Sequence, residues 1–201
     1  MKNKKSPGDY GYITYMKKSV AIKIVILLVI ALTIFFVGFF LNDKSNRNVF
    51  TIVAILFVLP GARYLTRLII TIPQKNVPEE EFTKFNSYVN KETGLLISAV
   101  VITSEEKVMC MDYIYVGNNA VIGLCRAKKK GKKYESSPKY IQDYLKDGVR
   151  GISDKYKVLV VDSEKKFEEE LKLVSRKKDG FGDKEKKAYE DVLRFIKSLI
   201  V

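Results

Sequence analysis

IVILLVIALTIFFVGFFL, residues 24–41, runs for eighteen positions without a charge. At 1.5 Å per residue in a helix, that length matches the ~30 Å hydrocarbon core of a bilayer. A second apolar run, VFTIVAILFVLPGA at 49–62, continues past Arg63 and Arg67 into Leu68, Ile69, Ile70 and Ile72. The two runs predict a transmembrane hairpin over 19–72, with spans at about 20–41 and 49–70. Pro60-Gly61 marks either a kink or the point where a membrane helix gives way to an interfacial one. Arg63 and Arg67 lie four apart, on one helix face. They reach headgroups while their stems stay in lipid, or they meet a partner inside the membrane. A cleaved secretory signal fits the first run poorly: it is too long, ends in bulky Phe39, Phe40 and Leu41, and is followed by a second span.

Orientation follows from the basic residues. Residues 1–23 carry six lysines, the 42–48 connection carries Lys44 and Arg47, and 63–75 carries Arg63, Arg67 and Lys75. This bias predicts a cell-membrane protein with both termini cytoplasmic and only the short connection outside. A basic N-terminus (1–18) then precedes the hairpin, and a linker (73–77) leads to a cytoplasmic domain (78–201). In that reducing compartment Cys110 and Cys125 are expected to be free thiols. The chain's net charge is +13, but residues 76–201 contribute only +4 of it. Most of the excess is juxtamembrane, where it suits anionic lipid headgroups.

The soluble part divides at proline and glycine. Pro78 followed by Glu79, Glu80 and Glu81 predicts a helix to about 91, with Phe82, Phe85 and Val89 on one face. The run LLISAVVIT (95–103) is continuous and β-branched, as in a strand buried on both faces. Strands at 107–116 and 120–126 flank Gly117-Asn118-Asn119, which favours a tight hairpin. Ser137-Pro138 caps a helix carrying Ile141, Leu145 and Val149. YKVLVV (156–161) is a fourth strand. Helices with Phe167, Leu171 and Val174, and then Tyr189, Leu193, Ile196 and Ile200, complete the chain. The order α-β-β-β-α-β-α-α predicts an α/β domain with a mixed sheet covered by helices.

With no histidine in the chain, Ser-His-Asp and Cys-His catalysis and histidine metal sites are excluded. Two cysteines alone make no tetrahedral zinc site, and no P-loop or GxGxxG is present. Acid, lysine and metal-carboxylate chemistry remain. The informative stretch is MDYIYVGNNAVIGLCRAKKK, residues 111–130. A two-residue turn at 118–119 pairs 117 with 120 and so sets Asp112 opposite Cys125. Asp112 is an unusual residue for so apolar a strand. It is either a metal ligand or a partly buried acid paired with Arg126, Lys128 or a backbone donor.

Here the chain resembles the nuclease-related domain (NERD) family, a branch of the PD-(D/E)XK nuclease superfamily, over roughly 78–162. The resemblance implies a restriction-endonuclease-like core ordered α-β-β-β-α-β. In that family an Asp-bearing strand passes through a "vG" turn into a strand ending Glu-x-Lys, and the two acids hold a divalent metal. Asp112 falls on the family's aspartate and Val116-Gly117 on its turn. The glutamate position holds Cys125, and the lysine position holds Ala127, with Lys128 one residue later. A neutral thiol is no hard oxygen ligand for Mg²⁺, so the resemblance implies a fold that has lost its catalysis and needs no cofactor. Mg or Mn enters only if another carboxylate, such as Glu81, Glu105 or Glu106, replaces the lost one.

The dense basic run is Arg126, Lys128, Lys129, Lys130, Lys132 and Lys133. It reads as a solvated loop or as a surface for the phosphates of nucleic acid or of anionic lipid. Three functions are therefore compatible with the sequence. One is a membrane-anchored binding module on an inactive nuclease-like fold, with nucleic acid as a candidate partner. The others are a metal-dependent nuclease with an altered acid set that keeps Asp112 as its catalytic metal ligand, and a small subunit or scaffold touching other membrane proteins through Arg63, Arg67 or the Gly38 face.

Overall fold

A computed structural model describes residues 5–7, 9–90, 92, 94–104, 106–117, 119–126, 137–175 and 183–201. The chain forms two compact units: Thr14–Pro73, and Met1–Ile13 together with Gln74–Val201.

The first unit is a helical hairpin. Helix α1 spans Tyr12–Leu41 and α2 spans Val49–Thr71. Both are long and apolar enough to cross a membrane. Helix α1 begins well before the apolar run, so Lys17, Lys18 and Lys23 lie on the helix rather than ahead of it. Side chains that a soluble helix would cover, such as Val25, Leu28, Ile52 and Leu59, point outward and are exposed. The threonines do not add unpaired polar groups to this surface. Thr33, Thr66 and Thr71 return their hydroxyls to carbonyls four residues earlier, at 2.8, 3.0 and 2.9 Å.

The connection is tight. Asp43 and Lys44 are both left-handed, with φ of 49° and 59°. Asn48 caps α2 by accepting from the Thr51 amide at 3.0 Å. The side-chain amides of Asn42 and Asn48 both donate to the Gly38 carbonyl, at 2.8 and 3.1 Å. A Cβ on Gly38 would lie 2.2 Å from that of Phe50. Gly38 is thus used within the hairpin, against Phe50 of the facing helix. Pro60 sits inside α2, which continues through it.

The second unit is a three-layer sandwich. Strands β1 (Gly94–Thr103), β2 (Val108–Gly117), β3 (Ala120–Leu124) and β4 (Lys157–Val161) lie side by side in chain order. The first three are antiparallel and β4 runs parallel to β3, making the sheet mixed. Helices α4 (Pro138–Arg150) and α6 (Asp183–Leu199) cover one face with Ile141, Leu145, Val149, Val192 and Ile196. Helices α3 (Glu79–Ser87) and α5 (Glu164–Ser175) cover the other with Phe85, Phe167 and Leu171. Gly117 pairs with Ala120, and Asn119 has φ of 60°, the geometry of the expected hairpin turn. Strand β3 stops at Leu124, short of the predicted 126. The Cys125 amide turns to the Val161 carbonyl at 2.8 Å and the Arg126 amide to the Asp112 carboxylate.

The N-terminal segment belongs to this unit. The Tyr10 ring lies 5.0 Å from Phe82 and its hydroxyl donates to the Val77 carbonyl, while Tyr12 packs on the α4/α6 side. At the far edge of the sheet, Ile200 bridges Ile102, and the Val201 amide donates to the Val101 carbonyl. The chain end thereby covers part of the β1 edge, which would otherwise offer unpaired backbone groups.

One irregularity decides what the sheet can display. On β2, Met109, Met111, Ile114 and Val116 face α4/α6, whereas Tyr113 and Tyr115 face α3/α5. Strict alternation would leave one residue between Met111 and the next on its face; here there are two. The same slip occurs on β1 between Ile97 and Val100. The register stays intact on either side, with Ser98 opposite Tyr113 and Val100 opposite Met111, so the slip sits at Ala99 and Asp112. Ala99 is accordingly left-handed, with φ of 53°. The buried Gln74 side chain donates to the Met111 carbonyl at 3.1 Å, pairing a backbone group at the slip.

A left-handed alanine is disfavoured by roughly 1–2 kcal/mol. Ala99→Gly is expected to raise stability by up to about 1 kcal/mol, and Ala99→Val to lower it. Denaturant unfolding of the full chain in detergent measures both.

Candidate functional site

Counted outward from the turn, alternation would set Asp112 on the face of Ile114 and Val116; the slip sets it instead on the side of its neighbour Tyr113. Its side chain points toward α3 and α5, where only 8% of the residue is exposed. A carboxylate in that position needs a cation. Arg126, just beyond β3, supplies it: Nε lies 3.0 Å from Asp112 Oδ2, and the Arg126 backbone amide donates to the same oxygen at 3.3 Å.

The guanidinium is shared. Arg126 Nη1 is 3.0 Å from Glu81 Oε1 and 3.7 Å from Glu164 Oε2. The Glu81 contact is an ion pair without hydrogen-bond alignment. Both glutamates occupy first turns, of α3 and α5, where the positive end of the helix dipole favours an acid. Burial alone would weaken the Arg126 charge. The hydrogen bond and charge of Asp112, followed by the charge of Glu81, outweigh it and raise the arginine's pKa. With Lys84 3.9 Å from Glu164, the cluster sets three carboxylates against two cations.

Beneath it lies an aromatic floor. Phe85 meets Tyr113 and Phe167 edge-on at 5.2 and 5.3 Å, and Tyr113 stacks on Phe167 at 6.0 Å. The Tyr113 hydroxyl is buried without a hydrogen-bond partner among the described residues. Burial, then the charge of Glu81, raises its pKa, with Arg126 opposing.

A second polar group ties α3 to α5. Glu168 accepts from Lys84 at 2.7 Å, pairs with Lys172, and accepts from the Tyr88 hydroxyl at 3.2 Å. Its pKa is lowered to about 2, by the hydrogen bond from Lys172 first and that from Lys84 next.

The structure therefore brings Asp112, Arg126 and Glu81 together. Cys125 does not join them: it packs on the α4/α6 side, and its Sγ donates to the Cys110 carbonyl at 3.3 Å. Neither cysteine is in a disulfide. Lys128, Lys129, Lys130, Lys132 and Lys133, like Ala127 and Glu105, lie outside the described residues. Arg126, counted from sequence with that basic run, is engaged by acids. Sequence reasoning missed Glu164 and Glu168, although an acid directly after Ser163 in a helix first turn is a legible signal. It also missed Gln74, for which a linker sequence offers none.

A divalent metal does not fit this arrangement. Asp112 Oδ2 is taken by two Arg126 donors, Glu81 and Glu164 share the same guanidinium, and position 125 carries a thiol on the other face. Among the described residues no group of three acids, cysteines or histidines is placed to hold a metal ion. Comparison of the chain with known protein families, with curated proteins and with solved structures finds no match.

Two measurements probe the cluster. In a double-mutant cycle, Arg126→Ala and Asp112→Ala are expected to show a coupling of about 2 kcal/mol, because either single change strands a partner that the double change removes. For Glu168, a pKa lowered on folding gives stability that is present above the ordinary value of 4.5 and is lost as pH falls through about 2. Glu168→Gln should remove the acid dependence within that window, seen as a flatter midpoint-against-pH curve.

Proposed function

We propose that the chain is a membrane-anchored cytoplasmic binding module, built on a nuclease-like core without its catalysis, whose partner is nucleic acid. The observation that carries this reading is the Asp112–Arg126 pair at 3.0 Å. The one acid that matches the nuclease motif is neutralised by an internal cation, and the position that should supply the second acid is Cys125. A hydrolytic site of this class needs hard oxygen donors free to polarise a water.

The restriction-endonuclease-like reading of the fold draws support from the order α-β-β-β-α-β and from β4 running parallel to β3. Support for nucleic acid comes from the basic run. With Arg126 engaged by carboxylates, phosphate contacts fall to Lys128, Lys129, Lys130, Lys132 and Lys133. The reading places the hairpin in the cell membrane and both termini in the cytoplasm, following the bias of basic residues.

The full chain in detergent, incubated with labelled single- and double-stranded DNA and RNA and with Mg²⁺ or Mn²⁺, is expected to leave the substrate intact and to retain it in a salt-dependent way. Neutralising Lys128, Lys129 and Lys130 should reduce the salt slope for duplex DNA by about 3. Cleavage lost in Asp112→Ala would establish the metal-dependent nuclease instead. Absence of both cleavage and retention would leave the scaffold of a membrane complex.

A further inference from the structure

The hairpin carries a second feature, independent of the sheet. Two contacts set the levels of its helices: Lys17 Nζ donates to the Ile72 carbonyl at 3.1 Å, and Lys23 Nζ lies 5.4 Å from the centre of the Tyr64 ring. Residues 17–23 of α1 therefore run beside 64–72 of α2. This brings Lys17, Lys18, Lys23, Arg63 and Arg67 into one band at the end of the hairpin away from its connection. The unit's single acid, Asp43, lies in that connection at the opposite end. No acid of the unit lies at that end.

The band is also mixed with apolar surface. Arg63 and Arg67 are exposed, four residues apart on one face of α2, and that face continues toward the connection with outward-facing Leu59 and Leu56. On α1, Lys18 and Lys23 are exposed beside outward-facing Ile22 and Val25. A water-soluble polyanion such as nucleic acid would match the charges and leave those apolar groups uncovered. A protein partner would have to be both acidic and apolar in the same strip. A phospholipid has that composition by construction, with an anionic phosphate above two acyl chains. Arginine pairs with phosphate oxygens through its forked donors while its stem lies along hydrocarbon. Tyr64, between the two arginines, is amphipathic in the way that suits the headgroup level.

We propose that Arg63 and Arg67, with Lys23 beside Tyr64, form a binding site selective for anionic glycerophospholipid, with the phosphate held by the basic side chains and the acyl chains against Leu59 and Leu56 on the arginines' own face. The site rests on the hairpin being in a membrane, and that premise is tested separately by whether the wild-type chain resists alkaline extraction from membranes.

The test is native mass spectrometry of the full chain in detergent, titrated with phosphatidylglycerol or with phosphatidylcholine of the same acyl chains. The wild type is expected to hold phosphatidylglycerol at least tenfold more strongly, and Arg63→Gln/Arg67→Gln to lose roughly tenfold of that preference. Lys23→Gln, on the other helix, should reduce it in the same direction, which keeps the test decisive if the arginine variant misfolds. Lys44→Gln/Arg47→Gln, at the connection, should leave it unchanged. Equal retention of the two lipids by the wild type would overturn the proposal. So would an equal loss from the connection variant, or displacement of the lipid by excess inorganic phosphate. Resistance to extraction without lipid preference would overturn the site alone, whereas extraction of the wild type would overturn the membrane premise beneath it.

Discussion

A carboxylate enclosed by a β-sheet and two helices is unfavourable by several kcal/mol unless a cation reaches it, and Asp112 is in that position. Its neutralisation by Arg126 links parts of the domain that are distant in sequence. The acid stands on β2, the cation just past β3, and the guanidinium continues to Glu81 at the start of α3 and Glu164 at the start of α5. One charge pair thus fixes where β3 ends and which helix ends gather around it. The sheet accommodates the acid by slipping its pleat at Ala99 and Asp112. Counted outward from the turn without that slip, Asp112 would fall on the face of Ile114 and Val116, in the apolar layer beneath α4 and α6.

The remaining packing on that side follows from the same arrangement. Helices α3 and α5 share the Phe85–Tyr113–Phe167 cluster beneath the ion pairs and the Lys84–Glu168–Lys172 bridge beside them. Apolar burial supplies the attraction between helices and sheet. The charged contacts, each modest at a partly exposed surface, select the rotation and register of the helices. Among the described residues the opposite face, lined by α4 and α6, is mainly an apolar core.

Much of the architecture was legible because local signals agreed. Pro78 with three glutamates, Ser137-Pro138 and the Gly117-Asn118-Asn119 turn each specify a boundary, and all three elements lie where those residues indicate. The register of the hairpin followed from the turn alone. The same count set Asp112 opposite Cys125, and left Arg126 as one of three candidate partners for the acid, beside Lys128 and a backbone donor. The slip was not. In LLISAVVIT every residue is apolar or small, so the stretch has no alternation whose phase could be seen to break. Arg126 was read with the lysines that follow it, because a run of like charges obscures one member that points elsewhere. Residues 5–13 looked like a basic tail, since Tyr10, Tyr12 and Ile13 are too few to display a period. The contribution of Gln74 depends on one amide meeting one distant carbonyl, and no local pattern encodes that.

The packing of Tyr10, Tyr12 and Ile13 with residues 74–201 has a consequence for how the protein is assembled. The domain is discontinuous: its chain begins before the hairpin and resumes after it, so the hairpin is an insertion within the domain rather than a tail attached to it. Gln74, the first residue after the insertion, already pairs with the sheet at its most irregular point. The domain cannot fold to completion until both arms of the insertion have been synthesised, and it cannot be released from them by a single cut while keeping all of its parts. Exchange of such a domain between hairpins by simple fusion is closed to this architecture, which ties the evolution of the domain to that of the helices inserted in it.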